Sequence, residues 1–204
     1  MIHRPCFFIV TGGPGAGKTS LIEALATLGY PTVEEAGRRI IREQKAAGGA
    51  ATHDGDRLAY RALMFRDALD TFTEMESENG PVFFDRGLPD LIGYSRLIGA
   101  AVPETLGDAV ARYRYNSVVF IAPPWQAIYG HDTERKQDFA EAVATCEAMR
   151  EAHEEAGYTL ADLPLASLEE RVRFVLKRVQ TGGAEETQSG ETPGSMPKTT
   201  DPKA

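Results

Sequence analysis

An α/β fold, with a central parallel sheet held between two helical layers, is what this 204-residue sequence predicts, on three observations. Short apolar runs at residues 6–10, 82–84 and 117–122 have the continuous hydrophobicity of strands buried on both faces. Amphipathic helical stretches separate them, which is the alternation that builds a parallel sheet. The first run feeds directly into Gly12-Gly13-Pro14-Gly15-Ala16-Gly17-Lys18-Thr19, which fits G-x-x-x-x-G-K-[ST] at every fixed position and is followed by a helix pattern. That combination predicts the three-layer sandwich of the P-loop NTPases, with ligands at the C-terminal ends of the strands.

The glycines of this loop let successive backbone N–H groups converge on phosphate oxygens, and the helix behind them adds the positive end of its dipole. Residues 12–20, from Gly12 through Thr19 to Ser20, are therefore the predicted nucleotide contacts. Lys18 would reach the β- and γ-phosphates, and Thr19 would offer its hydroxyl to the Mg²⁺ that accompanies ATP, or GTP in its place. A dinucleotide fingerprint is excluded, because lysine stands where that pattern needs its third glycine or alanine.

The first helix carries Leu21, Ile22, Leu25 and Leu28 at helical spacing and stops at Gly29. A short strand at residues 30–35 ends in Glu34 and Glu35. A second helix starting near Arg38 fades at Gly48-Gly49. In the long helix predicted from about 54 to 77, Leu58, Ala62, Phe65, Leu69 and Phe72 share one face. Arg57, Arg61 and Arg66 are assigned to its solvated side. After Asn79-Gly80-Pro81 the run Val82-Phe83-Phe84 ends in Asp85-Arg86-Gly87. Pro89 and Pro103 each start a helix. The strand at 117–122 stops at Pro123-Pro124, a polar segment at 125–138 follows, and a helix covers about 139–156. A last strand around Tyr158-Thr159-Leu160, with Leu163, precedes a helix from 167 to about 179.

Residues 1–180 are read as one domain, and residues 181–204 as a disordered tail. The tail has no aromatic or β-branched aliphatic residue with which to offset its ordering entropy. A formal net charge of −8 and an isoelectric point near 5.1 argue against general affinity for nucleic acid or anionic membrane. No stretch is long and apolar enough to span a bilayer. Cys6 and Cys146 lack metal-ligand spacing and read as small buried hydrophobes, and His3, His53, His131 and His153 are scattered without a zinc pattern. A reducing cytoplasmic setting is the expectation.

A magnesium nucleotide needs an acid at the end of a neighbouring strand, and Asp85 is placed for that. Motor-type ATPases commonly follow this aspartate with a glutamate that polarises water; here Arg86 follows. The Asp-Arg pair resembles the P-loop kinases of nucleosides and nucleotides, where the aspartate serves as base or magnesium anchor and the arginine contacts the substrate. Such kinases also carry a lid with arginines after the next strand, where Arg135 and Lys136 stand. The segment 7–19, Val33-Glu34-Glu35-Ala36-Gly37-Arg38, Phe84-Asp85-Arg86-Gly87-Leu88-Pro89-Asp90, Glu134-Arg135 and Asp138-Phe139 resemble the predicted ATPases of the AAA_28 family, a group similar to the ribosylnicotinamide kinase domain. The resemblance spans about residues 2–179.

It implies a nucleotide-binding protein and is consistent with phosphoryl transfer to a small, nucleoside-like hydroxyl acceptor. Asp85 or Glu35 would take the acceptor proton, and Arg135 would neutralise charge on the moving phosphoryl group. Alternation along the strand puts Glu34 and Glu35 on opposite sides; the Glu-Ala-Gly-Arg pattern of the resemblance favours Glu35. Arg38 and Arg86 are the expected substrate contacts. The alternative is a regulatory ATPase or GTPase switch without a small-molecule acceptor. Oligomeric state is not legible.

Overall fold

The computed structural model describes residues 1–129 and 139–185, with side chains described up to residue 180. In chain order the elements are β1 (Ile2–His3), β2 (Phe7–Gly12), α1 (Lys18–Thr27), β3 (Thr32–Val33), α2 (Ala36–Ala46), α3 (Arg57–Glu74), β4 (Val82–Asp85), α4 (Leu88–Leu97), α5 (Glu104–Arg112), β5 (Tyr113–Arg114), β6 (Val118–Ala122), α6 (Phe139–Glu155), β7 (Thr159–Asp162) and α7 (Leu168–Glu185).

Five strands form one sheet in the order β3-β4-β2-β6-β7, every neighbouring pair parallel. β2 lies at the centre; the chain passes from it to the edge strand β3, returns to β4 beside β2, and then crosses to β6 and β7 on the other side. The C-terminal end of β2 is therefore the topological switch point, where a crevice opens between diverging connections. A second, two-stranded sheet joins β1 to β5 and was not foreseen from sequence.

Alternation along β2 divides the core. Phe7 and Ile9 pack on one face with Phe72, Phe84, Leu88 and Tyr115. Phe8 and Val10 pack on the other with Leu21, Leu25, Phe83, Phe120 and Val175. Both faces are thus covered, which explains why these strands read as unbroken apolar runs. Phe7 meets Phe72 edge-on at 5.1 Å between ring centroids, and Phe84 meets Tyr115 edge-on at 5.3 Å, the arrangement favoured by the ring quadrupoles.

Several boundaries differ from expectation. β3 spans only Thr32–Val33, so Glu34 and Glu35 lie beyond the strand. The long helix is cut to Arg57–Glu74 because Asp56 caps it, accepting from Ala59 N at 2.9 Å, and a 3₁₀ turn follows at Met75–Ser77. α7 continues to Glu185, past the expected helix end near 179, and residues 186–204 of the expected tail lie outside the described residues. Arg61 is not on a free solvated face: its Nη1 donates to Ser95 Oγ at 3.0 Å and to the Ala101 carbonyl at 2.9 Å, tying α3 to the end of α4.

Candidate functional site

The phosphate loop is held from below by the sheet. At Gly12 the backbone turns with φ 126°, and an added Cβ would strike the Ala122 carbonyl oxygen on β6, so only glycine fits. α1 begins at Lys18, with Gly17 in its N-cap position and no side-chain cap or acidic residue in its first turn. Its first N–H groups and the positive end of its dipole are left for an anionic ligand. Thr19 and Ser20 are exposed on that first turn, while Lys18 is buried and donates from Nζ to the Gly13 carbonyl at 2.7 Å. Burial, with help from the nearby Arg86 charge, lowers the Lys18 ammonium to about 8.

Asp85 closes β4 in register with Val10 of β2, which brings its carboxylate beside the loop. The residue is 6% exposed, and its Oδ1 is buried without a hydrogen-bond partner. Burial raises this carboxyl to about 6, against the opposing pull of Lys18. A buried acceptor left unpaired is costly and calls for a function.

Arg86 follows with φ 75°, a left-handed conformation rare outside glycine and asparagine. Its N–H donates to the Val10 carbonyl at 3.0 Å. That turn aims the guanidinium sideways: Nε donates to Glu35 Oε1 at 2.9 Å and Nη1 to Asp90 Oδ1 at 3.1 Å. The arginine expected to contact substrate is thus engaged with two carboxylates. Glu35 sits at the N-cap position of α2, and Glu34 is exposed. Burial pushes the Glu35 carboxyl up, but Arg86, Lys18 and Arg38 together outweigh it and hold Glu35 below the usual range. Arg38 itself is exposed and is not among the residues lining the cleft beside Asp85. Arg135 lies outside the described residues.

Sequence reasoning missed the residue that organises this turn. Asp90 is 2% exposed and uses both oxygens fully. Oδ1 accepts from Thr11 Oγ1 and Arg86 Nη1; Oδ2 accepts from Gly87 N at 2.8 Å and lies 3.1 Å from His153 Nε2. Burial alone would raise its carboxyl, yet His153, Arg86 and Thr11 hold it far below the usual carboxylate range. The local clue was an acid in the first turn of a helix opened by Leu88-Pro89, where it reads as ordinary capping.

The cleft between Asp85, Glu35, Arg86, Met64 and Tyr115 encloses about 50 Å³. A larger recess of about 660 Å³, lined by Arg57, Arg61 and the turn after α4, includes none of the loop or Asp85. Among the described residues no three His, Cys, Asp or Glu side chains gather as a metal cage. An acid with an unpaired buried oxygen, beside a loop whose helix carries an exposed threonine, fits magnesium that takes most of its ligands from phosphate and water.

A family model, AAA_28, described as an AAA domain, matches residues 7–171. The chain belongs to that family. No curated protein matches it in sequence. Among solved structures, NadR in complex with NR is similar with a TM-score of 0.67 at 19% identity, over 87% of this chain. This chain spans 51% of that NadR chain, about half its length. A deoxyadenosine kinase from M. mycoides with the products dCMP and dCDP bound gives 0.61 at 12% identity, covering 86% of this chain and 99% of that one. A thymidylate kinase from Ehrlichia chaffeensis gives 0.59 at 15% identity, with 88% and 100% covered. This AAA_28 member therefore has the nucleotide-kinase form of the P-loop fold.

Proposed function

We propose that this protein is an ATP- and Mg²⁺-dependent kinase that transfers the γ-phosphoryl group to a hydroxyl of a small, nucleoside-like molecule. The observation that carries the reading is the buried, unpaired Asp85 oxygen at the end of β4, beside Lys18 and across a cleft from Glu35. Likeness to nucleoside and nucleotide kinases supports it.

In this reading the loop amides and Lys18 hold the triphosphate, and Thr19 and Asp85 hold the magnesium ion. When bound, the ion supplies charge neutralisation on the phosphates. The acceptor oxygen attacks the γ-phosphorus, the bond to the ADP oxygen breaks, and the acceptor proton passes to a carboxylate. Where Asp85 ligates the ion, Glu35 is the carboxylate left to take that proton; Asp85, raised to about 6 while no ion is bound, would serve as the base only if it does not ligate the ion. Arg135 would neutralise charge on the moving phosphoryl group, and Arg38 would reach an anionic substrate group. Two free thiols, Cys6 and Cys146, suit a reducing cytoplasm.

The narrow cleft favours a second reading. Its volume of about 50 Å³ is far below the roughly 300 Å³ of a small ligand site. Either α2 and the Glu35–Arg86 pair shift to admit an acceptor, or the protein is a nucleotide-dependent ATPase or GTPase switch with no acceptor. Incubating the protein with Mg·ATP or Mg·GTP and a nucleoside panel, with water as control acceptor, separates them. A kinase releases ADP faster with one nucleoside class and makes its phosphate; phosphate release unaffected by any nucleoside favours the switch.

A further inference from the structure

Arg171 is 3% exposed, lies in the first turns of α7, and takes no part in the chemistry described above. Its Nη1 donates to the Ala16 carbonyl at 2.9 Å, 155 residues away in sequence. The guanidinium lies so close to Gly17 that a Cβ there would come within 2.7 Å of Nη1. Its Nε is buried without a partner.

What α7 withholds from this arginine matters as much. Ser167 and Glu170 form a reciprocal cap, Ser167 N donating to Glu170 Oε2 at 3.1 Å and Glu170 N to Ser167 Oγ at 3.3 Å. Glu169 pairs with Arg173 at 2.8 Å. Both nearby acids on α7 are engaged elsewhere, and no carboxylate pairs with Arg171 among the described residues. Burial without a counter-ion lowers its basicity and is expensive for the fold. A structural tie to one carbonyl does not require a full charge there, since a neutral amide could make the same bond. A positive charge set against the outer side of a phosphate loop does have a use once polyphosphate occupies the inner side.

We propose that Arg171 is a positioning residue of the nucleotide site: it clamps the Ala16 carbonyl on the outer side of the phosphate loop, and its unpaired charge favours the more highly charged nucleotide. The inference rests on the nucleotide-binding reading of the loop. In water-poor surroundings its attraction grows with the number of phosphates bound. Adenosine gains nothing from it, ADP less than ATP.

Titration calorimetry of the full chain with Mg·ATP, Mg·ADP and adenosine, in the parent and in Arg171→Lys, Arg171→Gln and Arg171→Met, tests this. Arg171→Gln and Arg171→Met are expected to weaken Mg·ATP on the order of tenfold and Mg·ADP about threefold, with adenosine unchanged. Arg171→Lys keeps most of the ATP-over-ADP preference. Thermal melts of the same variants report folding separately, because replacing a buried unpaired cation by an apolar side chain is often neutral. Variants that melt lower yet keep the parental ATP-to-ADP ratio would make Arg171 a structural tie and overturn the proposal. A parent that binds no nucleotide overturns the nucleotide reading and this inference together.

Discussion

In their proposed roles, Asp85 as metal anchor or base and Lys18 as phosphate contact, the two residues set opposite limits on the conditions under which the site would work. A carboxyl raised to about 6 is protonated in acid and then neither anchors metal nor accepts a proton. An ammonium lowered to about 8 is lost in mild alkali and then no longer attracts phosphate. The pH profile of kcat/KM for ATP is expected to rise through about 6 and fall through about 8, a bell that initial-rate kinetics would trace. The linkage to stability has a definite sign. Because the folded state holds the Asp85 proton more tightly than the unfolded chain does, the buried carboxylate costs stability above about pH 6, and that cost disappears as pH falls through about 6 toward about 4. Asp85→Asn removes it. The variant is expected to gain about 1–3 kcal/mol at pH 7 in urea unfolding while losing at least about a hundredfold in phosphoryl transfer. A loss of stability would contradict the description of Asp85 as a carboxylate whose burial outweighs the pull of the neighbouring charges.

At the scale of elements, Asp90 ties three together through polar contacts of one side chain: β2 at Thr11, the Arg86 turn after β4, and α6 at His153. Asp90→Ala would take from Arg86 one of its two carboxylates and strand a buried imidazole and the Gly87 N–H, and is expected to cost about 3–5 kcal/mol by denaturant unfolding. Asp90→Asn keeps the shape and should cost less, so their difference measures the charge. This network also marks where legibility from sequence ended. The place of the loop could be read because its pattern lies within one short consecutive run, and that of Asp85 because a strand end is recognisable locally. Thr11 and His153 stand 79 and 63 residues from Asp90, and the sheet order that brings them together is written nowhere in their neighbourhoods. Arg171 was hidden for the same reason. The family resemblance favours Glu35 over Glu34, and strand alternation is not what distinguishes them: β3 stops at Val33, and Glu35 reaches Arg86 from the turn that opens α2.

For the whole molecule, the sheet order β3-β4-β2-β6-β7 decides where function can lie. It brings the Gly12 turn, Asp85 and the start of α2 to one rim while α1 and α7 close the opposite layer behind the loop. The chain carries a formal charge of −8, so the proposed attraction for polyphosphate would have to be local, from Lys18, the α1 N-terminus and Arg171, rather than from the molecular field. On the proposed kinase reading, the Glu35–Arg86 pair beside a cleft of about 50 Å³ would couple acceptor entry to the chemistry through one ion pair. Glu35→Gln, which weakens that pair, is expected to change the acceptor KM at least about fivefold while Mg·ATP affinity stays within about twofold, as steady-state kinetics and calorimetry would report. The central claim is tested most directly by the fate of γ-labelled phosphate in a single turnover of the full chain with Mg·ATP and a nucleoside pool. The account predicts label in a phosphorylated nucleoside, and none with Asp85→Asn; label appearing only as inorganic phosphate, at a rate the nucleosides do not alter, would contradict it.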